Sequence, residues 1–273
     1  MPVLRRPDGA EIYWEERGEG PLVVFAMQFF GIPATFEALI NDLEQDHRVV
    51  TYDLRGTGRS SKQGPHNIAT DAEDLGALIE ALGPPAVVVG LADGTNRSVQ
   101  LAADRPELIS RIVTPGGNPL GRRAAEGTDA LAASDSVVQA LLGLLETDYR
   151  AGLRTMIDTA NPQLDEDGLR DRVNRTVEHI SHDVLVTRIN EWVRADSLEE
   201  ARALGDRLWI LEHGRNPWFP IEVARRTQEL LPDARLEEVE DGPLTRPDLT
   251  SAFIREATAE PAALKGRAVR GPS

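Results

Sequence analysis

The chain has 273 residues, of which 41% are hydrophobic and 27% are charged, and its formal net charge is −15. This length and apolar content fit a single α/β domain with a full core and an insertion. The negative charge disfavours nucleic acid and anionic membranes as partners, and the lack of cysteine excludes disulfides and thiolate metal sites, which agrees with a cytoplasmic protein.

Short apolar strands alternate with helices along most of the chain. The pattern predicts strands at 11–16, 22–27, 48–52, 86–91, 109–114, 207–211 and 235–239, and helices at 34–45 and 68–82. The helix at 68–82 ends at the Gly-Pro-Pro sequence of residues 83–85, which is a strong stop signal. Continuous apolar strands alternating with helices indicate a mostly parallel sheet that is covered on both faces. We expect no N-terminal signal peptide, because no apolar run follows the basic residues near the start. We also expect no membrane span, because no apolar stretch reaches about 18 residues.

The interval from about 121 to 200 breaks this alternation. It contains helical patterns at 136–146, 149–158, 166–178 and 183–193, and no convincing strand. We therefore expect an α/β core formed by residues 1–120 and 205–273, with an all-helical lid at 121–204 over the carboxyl edge of the sheet. Residues 257–273 are small, basic and rich in Pro and Gly, and are expected to fray.

The most informative segment is residues 87–95, which read VVVGLADGT. The pattern predicts a strand that enters a sharp turn and a helix, framed like G-x-S-x-G. Ala92 stands at the central position, where a serine nucleophile would be found. A methyl group cannot attack a carbonyl carbon, so the segment has the form of a nucleophile turn without its reactive atom.

Several further segments carry a family resemblance. Residues 29–31 (FFG) follow the second strand, residues 53–60 read DLRGTGRS, and residues 71–75 (DAEDL) and 101–108 (LAADRPEL) flank the elbow strand and its helix. Together these segments resemble the α/β-hydrolase superfamily over nearly the whole chain apart from the lid. The resemblance implies an α/β-hydrolase fold, in which catalysis normally rests on a serine, an acid and a histidine in that chain order.

The sequence departs from that resemblance at all three positions. Ala92 replaces the serine, and Asn216 stands where the acid is expected, although the alignment is uncertain by one residue around Glu212 and His213. Pro243 stands where the histidine is expected.

The positions of the histidines show that the usual catalytic histidine is missing from the last loop. None of the five histidines follows residue 213, so no imidazole can come from the last loop. Residues 27–28 (MQ) also stand where His-Gly would precede the oxyanion turn. We therefore expect a scaffold that has kept its pocket and lost its covalent apparatus.

Two residues are candidates for noncovalent catalysis. Asp93 follows the nucleophile position and could act as a general base, its pKa raised by burial and lowered by the helix N-terminus. Its alternative role is that of a first-turn acid that suits the helix dipole. Gln28 could donate a hydrogen bond to a substrate carbonyl, or could simply belong to a solvent-facing turn.

The remaining candidates would bind substrate. Phe29 and Ala92 are expected beside the pocket. Asn216 could orient a polar group or satisfy loop backbone, and Trp218 and Phe219 could line the cavity or pack in the core.

Two lid histidines are the last candidates. His182, one helical turn after His179, could reach the pocket from the lid. No third metal ligand is identifiable near them, so we expect neither a metal nor a cofactor.

Two function hypotheses follow. The first is a cofactor-independent cyclase, isomerase or lyase that holds a bulky, apolar intermediate of the natural-product type in a reactive shape. A composition typical of GC-rich bacteria fits specialised metabolism. The second is a noncatalytic ligand-binding pseudohydrolase, and ordinary ester hydrolysis is a distant third. The expected partner is a small molecule, with a homodimer as a further possibility.

Overall fold

The computed structural model describes residues 2–117, 119–120, 123–124, 126, 129–213, 221–240, 242 and 245–259. Its centre is an eight-stranded sheet in the order β1-β2-β4-β3-β5-β6-β7-β8. Strand β2 pairs antiparallel with both β1 and β4, and the other five pairs, from β4 to β8 in the sheet order, are parallel. The strands are β1 Val3–Arg5, β2 Glu11–Arg17, β3 Leu22–Ala26, β4 Arg48–Tyr52, β5 Ala86–Gly90, β6 Ile109–Pro115, β7 Leu208–His213 and β8 Arg235–Val239.

Helices connect these strands. They are α1 Glu37–Leu43, α2 Ile68–Leu82, α3 Asp93–Asp104, α4 Asp129–Thr147, α5 Tyr149–Ala160, α6 Glu166–His179, α7 His182–Arg194, α8 Leu198–Leu204, α9 Ile221–Leu230 and α10 Pro247–Ala259. Within the described ranges, no helix combines the length and the apolar character that crossing a membrane requires.

The two faces of the sheet are covered by different helices. Every residue of β3 and of β5 is buried, which explains why these strands read as continuous apolar runs. Apolar side chains of α2, α3, α8 and α9 form one core cluster with the sheet, and those of α1 and α10 form another on the opposite face. The predicted α/β architecture, a mostly parallel sheet with helices on both faces, is confirmed.

Helices α4–α7, which we call the lid helices, form a small apolar cluster around Ile157, Leu169 and Val173 and a larger one that joins α4, α5 and α7. Side-chain caps fix where three of them begin: Asp148, Asp165 and Ser181 accept hydrogen bonds from backbone N–H groups of the first turns of α5, α6 and α7. The larger cluster includes Phe29, which follows β3. The lid helices therefore pack directly over the loop at the carboxyl end of that strand.

The lid is also tied to the core by a buried ion pair. The guanidinium of Arg188 on α7 contacts the carboxylate of Asp71 on α2, and both side chains are at most 2% exposed. A second nitrogen of Arg188 donates to the carbonyl oxygen of Arg55 at 2.7 Å. Nearby, the Gly58 N–H donates to the carbonyl oxygen of His179 at 2.7 Å. These contacts fix α7 and the end of α6 to the 53–60 loop.

Three sequence predictions need correction. Helix α8, assigned to the lid, packs Leu198, Ala201 and Leu204 into the main core, because its apolar side faces α3. The chain from residue 257 was expected to fray, yet α10 runs to Ala259 and Ala257 is 1% exposed. Strand β1 was not predicted, because its three residues are too few to show a period.

Candidate functional site

The site begins at the turn between β5 and α3. Ala92 has φ 48° and ψ −119°, and it is the one described residue other than glycine with a positive φ. A Cβ at Gly90 would lie 2.8 Å from the Cα of Thr95, and one at Gly94 would overlap the carbonyl oxygen of Ala26. Positions 90 and 94 must therefore both be glycine for the strand and the helix to approach so closely. The strained turn of a nucleophile elbow is present, with a methyl group at its tip.

Asp93 turns away from this tip and joins α3 to the loop after β3. Its Oδ1 accepts a hydrogen bond from the Phe29 N–H at 2.8 Å, and its Oδ2 contacts the guanidinium of Arg97 one helical turn later. Arg97 is completely buried and donates through Nη1 to the carbonyl oxygen of Met27 at 2.8 Å. Asp93 and Arg97 thus contact each other, and each also bonds to the backbone of the loop after β3. Together they link the first turns of α3 to that loop.

Both carboxylate oxygens of Asp93 are therefore engaged. Burial raises the pKa of Asp93, and the positive charge of Arg97 opposes that rise. Asp93 is also absent from the described residues that line the neighbouring cavity. Its role as a general base stays a prediction, for a carboxylate whose two oxygens each already have one partner.

The contact with Phe29 has a chemical consequence. In serine enzymes with such an elbow, an N–H from the loop after this strand helps to hold the oxyanion of the tetrahedral intermediate. Here the N–H of Phe29 in that loop donates to the Asp93 carboxylate instead. An oxyanion that used this N–H would therefore have to compete with a buried carboxylate for it.

A cavity of about 110 Å³ opens beside Ala92, under the lid helices. Its described lining is apolar except for one side-chain amide and comes from the elbow, the ends of β3 and β6, and the lid: Gln28, Phe29, Phe30, Leu91, Ala92, Pro115, Gly116, Val138, Leu141, Met156, Ala160, Ile189 and Trp192. The predicted site residues Gln28, Phe29 and Ala92 are brought together here. The volume suits about one ring, so the bulky ligand expected from the sequence would require the lid to move.

Gln28 supplies the polar group of this lining. Its side chain is 8% exposed and makes no hydrogen bond to any other residue in the described part of the chain. The solvent-facing alternative is therefore wrong, because the turn lies beneath the lid helices. Gln28 belongs to the cavity lining, and an amide can both donate and accept, so this side chain is suited to bind a polar atom of a ligand.

His182 and His179 are not arranged as predicted. They lie on two helices, because Ile180 is extended and Ser181 caps α7, so they do not share one helical face. The His182 ring packs edge-on against Tyr149 at 5.6 Å, and its Nδ1 pairs with Asp183 at 2.9 Å. His182 is absent from the described cavity lining.

Other predicted residues lie elsewhere. Asn216, Trp218, Phe219 and Pro243 fall outside the described residues. Among the residues that are described, no group of three or more His, Cys, Asp or Glu side chains is placed to hold a metal ion.

The structure adds a histidine near the last loop. A Cβ on Gly242 would lie 3.3 Å from Cε1 of His213, so this ring at the end of β7 lies against the residue that precedes the usual histidine position. The lid residues Trp192, Met156 and Leu141 were also missed. Their only signal was membership of the apolar faces of amphipathic helices, which does not distinguish a cavity wall from a core.

The family model for the alpha/beta hydrolase fold matches residues 21–243. The chain belongs to the α/β-hydrolase fold family. A curated relative, the 2-(acetamidomethylene)succinate hydrolase of Mesorhizobium japonicum, is 31% identical over 227 residues, which cover 80% of this chain and 79% of the relative. The putative carbamate hydrolase RutD of Caulobacter sp. (strain K31) is 29% identical and is matched over 70% of this chain and 71% of its own length.

Solved structures agree on the fold. An esterase from Exiguobacterium antarcticum superposes with a TM-score of 0.82 at 19% identity, covering 94% of this chain and 99% of the esterase. The Bacillus megaterium epoxide hydrolase superposes with a TM-score of 0.78 at 18% identity, covering 95% and 100%. The predicted α/β-hydrolase resemblance is confirmed. The α/β-hydrolase elbow is thus retained in a chain whose elbow residue has no nucleophilic atom.

Proposed function

We propose that this α/β-hydrolase fold protein binds a largely apolar small molecule beneath its lid helices and does so without forming a covalent bond to it. The observation that carries the proposal is the methyl group of Ala92 at the tip of a strained elbow that opens on an apolar cavity. The strain at this position is costly to keep. It is retained although no atom there can attack a carbonyl.

The hydrogen bond between the Phe29 N–H and Asp93 also supports noncovalent binding. Even a water molecule attacking an ester beside Ala92 would produce an oxyanion, and the N–H of Phe29 that would receive it is bound to Asp93. Loss of one such donor typically lowers the rate of acyl transfer by about 10²- to 10³-fold. Hydrolysis, the activity in the names of the two curated relatives, is therefore the weakest of the candidates.

A second candidate is noncovalent turnover of the bound molecule, by a cofactor-independent cyclisation, isomerisation or elimination. The unpartnered amide of Gln28 favours it, because an amide held against a ligand carbonyl could stabilise developing negative charge there. Enclosure under the lid helices would supply the orientation. The molecule would be one of specialised bacterial metabolism.

Filling the cavity tests the proposal. In Ala92→Leu, and in Val138→Phe on the lid side, we expect affinity for the neutral single-ring dye 4-(dimethylamino)benzonitrile to fall at least tenfold, measured by fluorescence titration. Val138→Phe avoids the strained turn, so loss of binding in both variants cannot be assigned to misfolding at the elbow. Ala140→Leu is the matched control, because Ala140 is exposed on the same helix as Val138.

Two results would count against the proposal. Equal dye binding in the wild type and both filled variants would place the ligand elsewhere. Hydrolysis of 4-nitrophenyl butyrate that survives repurification and disappears in the filled variants would restore the hydrolase assignment. Conversion of a bound compound to an isomer of equal mass, followed by chromatography, would favour the second candidate.

A further inference from the structure

Aromatic rings form one wall of the cavity. The ring centroids of Phe29 and Phe30 are 5.3 Å apart, and those of Phe29 and Trp192 are 5.8 Å apart, with tilts of 56° and 54°. These separations and tilts lie in the range that aromatic pairs favour. The three rings come from the β3 loop and from α7, so the wall exists only where the lid meets the core.

Other residues of the lining are flexible or small. Met156 contributes a flexible thioether, which makes favourable contacts with aromatic rings. Ala92 and Gly116 contribute no large side chain to the cavity lining. The cavity volume of about 110 Å³ compares with about 150 Å³ for an engineered apolar cavity that binds benzene. The space accepts one flat ring more readily than a branched or multi-ring body.

The polar features select a neutral ligand with one hydrogen-bonding oxygen. Gln28, next to Phe29 in the chain, presents an amide that can both donate and accept. None of the described lining residues is ionisable, so a charged group would be desolvated there without a counterion. The formal net charge of −15 further disfavours an anionic ligand.

We propose that the ligand presents to this cavity a neutral, single aromatic ring with an oxygen on the ring or one atom away from it, as in an aryl ketone or a phenol. The ring lies against Phe29 and Trp192, and the oxygen pairs with the Gln28 amide. This inference rests on the proposed function, because it assumes that the cavity beside Ala92 is the binding site.

A panel of four matched compounds tests it on the wild-type protein by isothermal titration. Acetophenone carries both features, ethylbenzene lacks the oxygen, methyl cyclohexyl ketone lacks the aromatic ring, and benzoate carries a negative charge. We expect acetophenone to bind about 3- to 10-fold more tightly than ethylbenzene and than the cyclohexyl ketone. Benzoate is expected to bind about 100-fold more weakly.

Variants assign each preference to its residue. In Gln28→Leu the advantage of acetophenone over ethylbenzene should fall to about 1-fold, while its advantage over the cyclohexyl ketone persists. In Trp192→Leu the advantage of acetophenone over the cyclohexyl ketone should fall to about 1-fold, while its advantage over ethylbenzene persists. Because each variant is judged by a ratio of two ligands on the same protein, a general loss of stability does not imitate the result.

The outcomes separate this inference from the function on which it rests. If all three neutral compounds bind equally, and their binding is lost in Ala92→Leu, the cavity is the site but the aromatic assignment is wrong. If benzoate binds best, or if none of the four binds at millimolar concentration, the inference is overturned. The dye titration of the filled variants then decides independently whether the cavity binds ligands at all.

Discussion

Replacing Asp93 by Asn is expected to lower the free energy of unfolding by about 3 to 5 kcal/mol. The carboxylate is the buried counterion of Arg97, and its loss leaves a guanidinium inside the protein without a compensating charge. Asn can still accept from the Phe29 N–H, so the penalty arises from the charge rather than from the loop contact. Urea unfolding followed by circular dichroism measures the change.

Asp104→Asn is the matched control for this prediction. Asp104 lies on the same helix and is exposed, so the substitution should change stability by less than about 0.5 kcal/mol. The comparison also separates two roles for Asp93. A general base would give an Asp93→Asn protein of normal stability that has lost turnover, and that combination would contradict the bridging role derived from the structure.

Replacing Arg188 by Met is expected to loosen the lid helices at a cost of about 3 to 5 kcal/mol. Asp71 would keep a buried charge without its partner, and the hydrogen bond to the Arg55 carbonyl would be lost. Amide hydrogen exchange should quicken most in α7, because this pair joins α7 to the core. Dye affinity should fall with it, since α7 supplies Trp192 to the cavity wall.

The control is Arg170→Met on α6. Arg170 pairs with Asp167, and the two side chains are 69% and 83% exposed, so this ion pair should contribute less than about 1 kcal/mol. Equal destabilisation by the two substitutions would show that the buried pair does not hold the lid. A double variant, Asp71→Leu with Arg188→Met, should recover part of the stability, because it removes both charges.

Much of the fold could be predicted because its elements are periodic. Strands such as β3 and β5 are apolar throughout since both faces are covered, and the lid helices have amphipathic patterns with side-chain caps. The elbow was equally visible, because the glycines at 90 and 94 are required by close contacts with Thr95 and Ala26. Helix α8 was misassigned since its pattern does not say whether its apolar face meets the lid or the core.

The chemistry of the site was less accessible to sequence reasoning. The bond between the Asp93 carboxylate and the Phe29 N–H joins residues 64 positions apart, and it depends on how closely α3 approaches the end of β3. A first-turn acid is common on helices, so nothing in the sequence marked this one as the ligand of an oxyanion donor. Trp192 lines the cavity from α7, which the contacts of Arg188 join to α2 and to the 53–60 loop.

The central claim is that none of the described residues lining the cavity beside the elbow has a side chain that can form an acyl or phosphonyl adduct. Its most direct test is the intact mass of the wild-type protein after incubation with a fluorophosphonate probe, under conditions that fully label a serine esterase of the same fold. The account predicts an unchanged mass. A stoichiometric adduct, mapped by peptide sequencing to a serine beside the cavity, would contradict it.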